Sequence, residues 1–173
     1  MTDQLENARV LIVMGSESDF ETMKSCVQVL KDFDIPCAVH VASAHRTQDK
    51  VINLIRRAEE AGVQVIIAAA GMAAHLAGCI AGRTVLPIIG VPMDSPHMSG
   101  LDSLYSTVMM PPGIPVASVG IGRAGAKNAG YLAVHILALQ SPALKEKLQA
   151  YRDGLVSKVE AMDKSVQEKL QEL

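Results

Sequence analysis

The spacing of apolar residues changes in a regular order along this chain. Arg9-Val-Leu-Ile-Val-Met14 is a short, continuous apolar run rich in β-branched residues, which predicts a strand buried on both faces. After Gly15-Ser-Glu-Ser-Asp19 the spacing becomes three and four, with Met23, Val27, Leu30 and Phe33 on one helical face. The exchange then repeats. A strand over 36–42, the loop Ser43-Ala-His-Arg-Thr47 and a helix carrying Val51, Leu54, Ile55 and Ala58 lead to Gly62. A strand over 63–69, the loop Gly71-Met-Ala-Ala-His75 and a short helix reach Gly82. A strand over 86–91, a Pro/Ser/Gly-rich loop and a helix over 101–109 follow, then a strand over 114–121 and a helix over 126–140. Ser141-Pro142 starts a last helix, since Ser caps free amides and Pro suits the first helical position. Its apolar stripe runs through Leu144, Leu148, Tyr151, Leu155, Val159, Met162, Val166 and Leu170.

Alternating strands and helices predict the α/β class. The expected architecture is a three-layer α/β/α sandwich on a central parallel sheet, closed by a long C-terminal helix. One domain is expected over 1–173, with its core at about 9–140 and a helical extension at about 141–173. In such folds ligands bind at the carboxyl ends of the strands. Nearly every polar, glycine-rich segment here follows a strand, so the candidate chemistry gathers on one sheet edge.

Composition narrows the function. The 173 residues carry 16 Lys and Arg against 18 Asp and Glu, a net charge of −2. That balance argues against a nucleic-acid or anionic-membrane partner. Two Phe, three Tyr and no Trp leave little for stacking bases or a flavin. Cys26, Cys37 and Cys79 are odd in number and far apart, which suggests neither a disulfide framework nor a zinc site and fits the cytoplasm. The polar start, Met1-Thr-Asp-Gln-Leu-Glu6, does not resemble a targeting segment. Residues 65–82 lack charge, but Gly71, His75, Gly78 and Gly82 interrupt them, so they read as strand, loop and helix.

Three loops hold the candidate residues. Gly15 to Asp19 has neither the Walker A nor the GxGxxG spacing. Ser16, Ser18 and Asp19 either cap the next helix or meet a ligand, and for acidic Asp19 sugar hydroxyls are the fitting target. In the second loop, Arg46 offers a rigid fork to a phosphate and His45 a proton carrier, with Ser43 beside them. The third, Ala70-Gly-Met-Ala-Ala-His-Leu76, is lined by methyl groups and backbone. It reads either as a cavity for a small neutral molecule or as tight helix–strand packing. His40 and His135 fall inside a strand and a helix, where structural roles are expected, while His97 lies in a loop.

Seven segments now stand in order: Val13-Met-Gly-Ser-Glu-Ser-Asp19, Ser43-Ala-His-Arg-Thr47, Ala70-Gly-Met-Ala-Ala-His-Leu76, Leu86-Pro-Ile-Ile-Gly-Val-Pro92, Gly100-Leu-Asp-Ser-Leu-Tyr-Ser106, Met110-Pro-Pro-Gly-Ile-Pro115 and Ala126-Lys-Asn-Ala129. Together they closely resemble the 5-(carboxyamino)imidazole ribonucleotide mutase family of purine biosynthesis (the PurE family, class I-like), over about residues 9–140. The resemblance implies a flavodoxin-like fold, a homo-octamer, and a cytoplasmic isomerase that uses no cofactor and no metal. Its substrates would be a ribonucleotide and the CO2 held during transfer. It further implies that His45 is the general acid and base and that His75 lines the same catalytic cavity. Ser16, Ser18, Asp19, Ser43 and Arg46 would hold the nucleotide, and Ala70, Gly71, Met72, Ala73 and Leu76 the small-molecule cavity. The loop over 93–100 is expected to complete a neighbouring copy's site.

Many members have Gly, Pro and Gln where Met72, Ala77 and Met109 stand here. A related class, which carboxylates aminoimidazole ribonucleotide directly with free CO2, has Lys in place of Arg46 and an Arg-Ser-Asn-like segment in place of residues 72–75. Arg46 and Ala73-Ala-His75 match the mutase class. A non-catalytic module of the same shape fits less well. A receiver needs an acceptor Asp after the third strand, where Ala68-Ala-Ala-Gly71 stands, and a flavin carrier needs aromatics in the strand-end loops.

Overall fold

The computed structural model describes residues 5–171. Residues 1–4, which carry most of the reading of the N-terminus, and residues 172–173 lie outside it. The chain divides into two compact units, Met1–Ile136 and Leu137–Leu173.

The first unit is built on five parallel strands: β1 (Val10–Met14), β2 (Cys37–Val41), β3 (Val65–Ala70), β4 (Ile88–Pro92) and β5 (Ala117–Ser118). Their order is β2-β1-β3-β4-β5, the flavodoxin-like arrangement, in which the chain reverses direction across the sheet between β1 and β3. Connecting helices are α1 (Phe20–Asp32), α2 (Gln48–Glu60), α3 (Leu76–Ala81), α4 (Leu101–Val108) and α5 (Gly122–Ala138). β1 is buried throughout, as its unbroken apolar run requires. Met14 stands in register with Val41 and Ala69, so the loops after β1, β2 and β3 leave the sheet at one level.

Side chains alternate across the sheet. Leu11, Val13, Ile66 and Ala68 join Leu54, Ile55 and Ala58 of α2 and Leu76, Ala77 and Ile80 of α3 in one core cluster. Away from that layer, α5 packs closely on α1. A Cβ added at Gly130 would sit 2.9 Å from the Val29 Cβ and 3.1 Å from the Cys26 carbonyl oxygen.

Element ends shift by a few residues from the sequence reading, most at α5, which starts at Gly122 rather than 126, and three differences bear on packing. β5 pairs only at Ala117 and Ser118 rather than over 114–121. It is an edge strand preceded by Pro115, which has no N–H to give, and one further bond runs from Val119 N to Gly90 O at 3.1 Å. Glu17–Asp19 forms a 3₁₀ turn before α1. The buried face of α1 is Met23, Cys26, Val29 and Leu30, leaving Val27 half-buried.

The second unit is dominated by α6 (Pro142–Gln171), 30 residues long. Ser141 Oγ accepts from Leu144 N at 3.4 Å, the expected cap. Leu144 and Leu148 are buried, whereas Leu155, Val159, Met162, Val166 and Leu170 are exposed. No described helix is long and apolar enough to cross a membrane, and residues 65–82 resolve into strand, loop and helix as expected.

Candidate active site

A cavity of about 640 Å³ opens where β1, β2, β3 and β4 end, the position favoured in open parallel sheets. Its walls include all twelve site residues expected from the sequence: Ser16, Ser18, Asp19, Ser43, His45, Arg46, Ala70, Gly71, Met72, Ala73, His75 and Leu76. Gly15, Ala44, Met93, Asp94, Ser95 and Pro96 complete it.

The loop after β1 is held by its own polar groups. Ser16 N donates to Asp19 Oδ2 at 3.1 Å, and Ser18 N donates to Ser16 Oγ at 3.3 Å. Ser18 Oγ donates to Ser16 Oγ at 2.8 Å. This reciprocal cap satisfies amides that would otherwise lack partners at the helix start. The groups that cap the helix also face the cavity. Burial raises the Asp19 pKa, an effect opposed in part by the hydrogen bond from Ser16 N.

The loop after β2 closes on itself. Ser43 N donates to Thr47 Oγ1 at 2.8 Å, and Thr47 N donates to Ser43 O at 3.0 Å. Arg46 N and Nε donate to Ser43 Oγ at 3.3 and 3.4 Å. Thr47 thus acts behind the site as a clamp. The guanidinium is anchored through Nε, which leaves its outer nitrogens available to a planar or tetrahedral anion.

His45 Nε2 lies 2.9 Å from His75 Nδ1, with the rings edge-on at 79°. Such a contact needs one N–H and one lone pair, so one proton lies between the two rings. His75 is brought there by the turn after β3, in which Ala74 N donates to Met72 O at 2.9 Å and His75 N to Ala73 O at 2.8 Å. Met72 adopts φ +57°, the left-handed region that disfavours a side chain. It is 67% exposed at the rim, and Ser106 Oγ donates to its carbonyl at 3.4 Å. Ala74 is buried at 1% exposure and is not part of the cavity wall, so from this loop the lining is Ala70 to Ala73, His75 and Leu76.

The wall after β4 went unnamed among the site residues. Met93, Asp94, Ser95 and Pro96 line this chain's own cavity. Ser95 Oγ donates to Asp102 Oδ1 at 2.8 Å and accepts from Gly100 N at 3.3 Å, fixing the loop to α4. No periodicity marks these residues. Their position after a strand, on the same edge as the other loops, was the available signal. A second cleft of about 820 Å³ lies at the opposite edge, among residues 81–88 and 113–117. Its Glu59 accepts from Thr84, and it holds no histidine.

The AIR carboxylase family model matches residues 9–158. The chain belongs to the AIR carboxylase family. Among its relatives, an N5-carboxyaminoimidazole ribonucleotide mutase of Pyrococcus abyssi is 52% identical over 147 residues, covering 85% of this chain and 83% of that one. The Escherichia coli K12 protein of the same name is 48% identical over 159 residues, covering 92% of this chain and 94% of that one. The crystal structure of Treponema denticola PurE superposes with a TM-score of 0.83 at 29% identity, covering 90% of this chain and 96% of that one. Family membership and the parallel five-stranded fold therefore agree with the sequence reading.

Proposed function

We propose that this family member is the isomerase that converts N5-carboxyaminoimidazole ribonucleotide to 4-carboxy-5-aminoimidazole ribonucleotide, a mutase rather than a direct carboxylase. The observation that carries the reading is the His45–His75 contact beside an almost uncharged wall of alanines. The mutase names of relatives near 50% identity support it. Arg46 and Ser16 anchor the 5′-phosphate, Asp19 accepts from the ribose hydroxyls, and Ser18 and Ser43 stand beside them.

The chemistry then balances within the site. The N–C bond of the carboxyamino group breaks, its electrons stay on nitrogen, and CO2 departs as a neutral molecule. The histidine pair, carrying one added proton, supplies the proton that nitrogen takes up. The adjacent ring carbon attacks the retained CO2, a C–C bond forms, and the proton on that carbon returns to the pair. Nothing is oxidised or reduced. Because His45 Nε2 is engaged by His75, Nδ1 is the nitrogen left to exchange a proton with substrate. Retaining CO2 beside its acceptor makes recapture effectively intramolecular.

The active form in this reading is a cytoplasmic homo-octamer. Support comes from exposed apolar residues on α4 (Leu101, Tyr105, Val108) and on the outer half of α6, and from three free thiols suited to a reducing compartment.

The test places carbon-13 in the carboxyamino group and runs the reaction in excess unlabelled bicarbonate. Label in the ring carboxylate is the expected result. Product formed only from aminoimidazole ribonucleotide plus unlabelled bicarbonate would assign the direct carboxylase instead.

A further inference from the structure

Met72 combines three properties that the folded chain alone does not explain. Its backbone is left-handed at φ +57°, a region glycine enters freely and an unbranched thioether side chain enters at a cost. Among the described residues, the other non-glycine positions with positive φ are Asn7, Asp34 and Ser99, short polar types whose side chains can bond to nearby backbone. Met72 has no such group, and at 67% exposure its side chain recovers little through packing. Yet it stands on the rim of the cavity, and its carbonyl is tied down twice, by Ala74 N and Ser106 Oγ.

A side chain that suits neither its backbone nor its solvent exposure acquires a role once the cavity is filled. We propose that Met72 is a retention residue. Its flexible, polarisable arm folds over the ring and the neighbouring CO2, shields them from water, and raises the fraction of CO2 recaptured at carbon over the fraction that escapes. A thioether suits this cover because it follows an irregular apolar shape and contacts an aromatic edge favourably. It offers no charge and no strong donor to compete for the departing CO2. The inference deepens the mutase reading and rests on it.

The carbon-13 assay in excess unlabelled bicarbonate tests it through a partition ratio: free aminoimidazole ribonucleotide plus unlabelled product, divided by labelled product. Wild type, Met72→Gly, Met72→Ala and Met72→Leu are compared. The glycine variant relieves the left-handed backbone, so its melting temperature should not fall. The alanine variant keeps that burden and lacks the arm. Both should raise the ratio about two- to tenfold, the range that the apolar cover of about one buried methylene supports, while the leucine variant, which keeps an apolar arm, stays near wild type. A wild type that converts substrate, with an unchanged ratio in either shortened variant, overturns the retention role and leaves the mutase reading standing. A wild type that converts no carboxyamino substrate overturns both.

Discussion

The Nε2 of His45 and the Nδ1 of His75 are 2.9 Å apart, although 30 residues separate them and they stand on loops after different strands. The contact joins β2 to β3 across intervening β1, and it depends on those loops leaving the sheet at one level. It makes the two rings one proton-holding unit. A unit of this kind predicts non-additive losses. His45→Asn should lower kcat by about 10²- to 10⁴-fold, the usual contribution of general acid–base catalysis, while nucleotide binding persists. His75→Asn should lower kcat less, and the double variant should be little worse than His45→Asn alone. Steady-state kinetics with calorimetric binding would check this; fully additive losses would mean that the rings act separately.

Asp19 predicts a pH-dependent stability effect. Its folded pKa is raised by burial, so the folded state favours the protonated acid. Below the ordinary value of 3.8 both states are protonated and no penalty exists. As pH rises through the folded pKa the carboxylate is charged in a half-buried place and stability is lost. Asp19→Asn should therefore melt higher than wild type at pH 7, with the difference vanishing below pH 3.8, and it should bind the nucleotide more weakly. Thermal melts across pH would expose the opposite trend.

The three thiols should react in a fixed order. Cys79 is exposed, Cys37 half-buried and Cys26 buried. Burial, and to a lesser degree Cys37, push the Cys26 thiol up to about 12, so almost no thiolate exists there at pH 8. A thiol reagent should modify Cys79 first, Cys37 more slowly and Cys26 only on unfolding. Mass mapping that found Cys26 modified in the native protein would contradict the packing of α1.

Two glycines in helices should respond oppositely to alanine. At Gly130 the added Cβ meets Val29 and Cys26 within about 3 Å, and overpacking of this kind costs about 1–3 kcal/mol. At Gly154 nothing lies within 4 Å, and a helix-interior Gly→Ala gains about 0.5–1 kcal/mol. Urea unfolding should separate the two by sign.

Much of the fold was legible because each buried strand advertised itself as an unbroken apolar run and each polar loop fell after one. The same logic placed the twelve expected residues in loops after β1, β2 and β3, where they line one cavity, with the resemblance assigning the roles expected of them. What stayed hidden depended on contacts distant in sequence. The loop over Met93–Pro96 has no period of its own, and only its tether to Asp102 and Gly100 turns it toward this cavity. Ala74 looks like its alanine neighbours in sequence, and only the tight turn at Met72 and Ala73 sends it into the core. The brevity of β5 follows from its place at the sheet edge, which local pattern does not encode.

The reciprocal cap at Ser16 and Asp19 has a thermodynamic consequence for ligand capture. The Ser16 and Ser18 hydroxyls that would meet the ligand already bond to each other, and the Asp19 carboxylate already accepts from Ser16 N, so their rotamers are fixed before any encounter. The ordering entropy of that corner is settled when the chain folds. A nucleotide bound as proposed would exchange partners with a rigid frame, and its association rate should be set by diffusion and charge rather than by rearrangement of that loop.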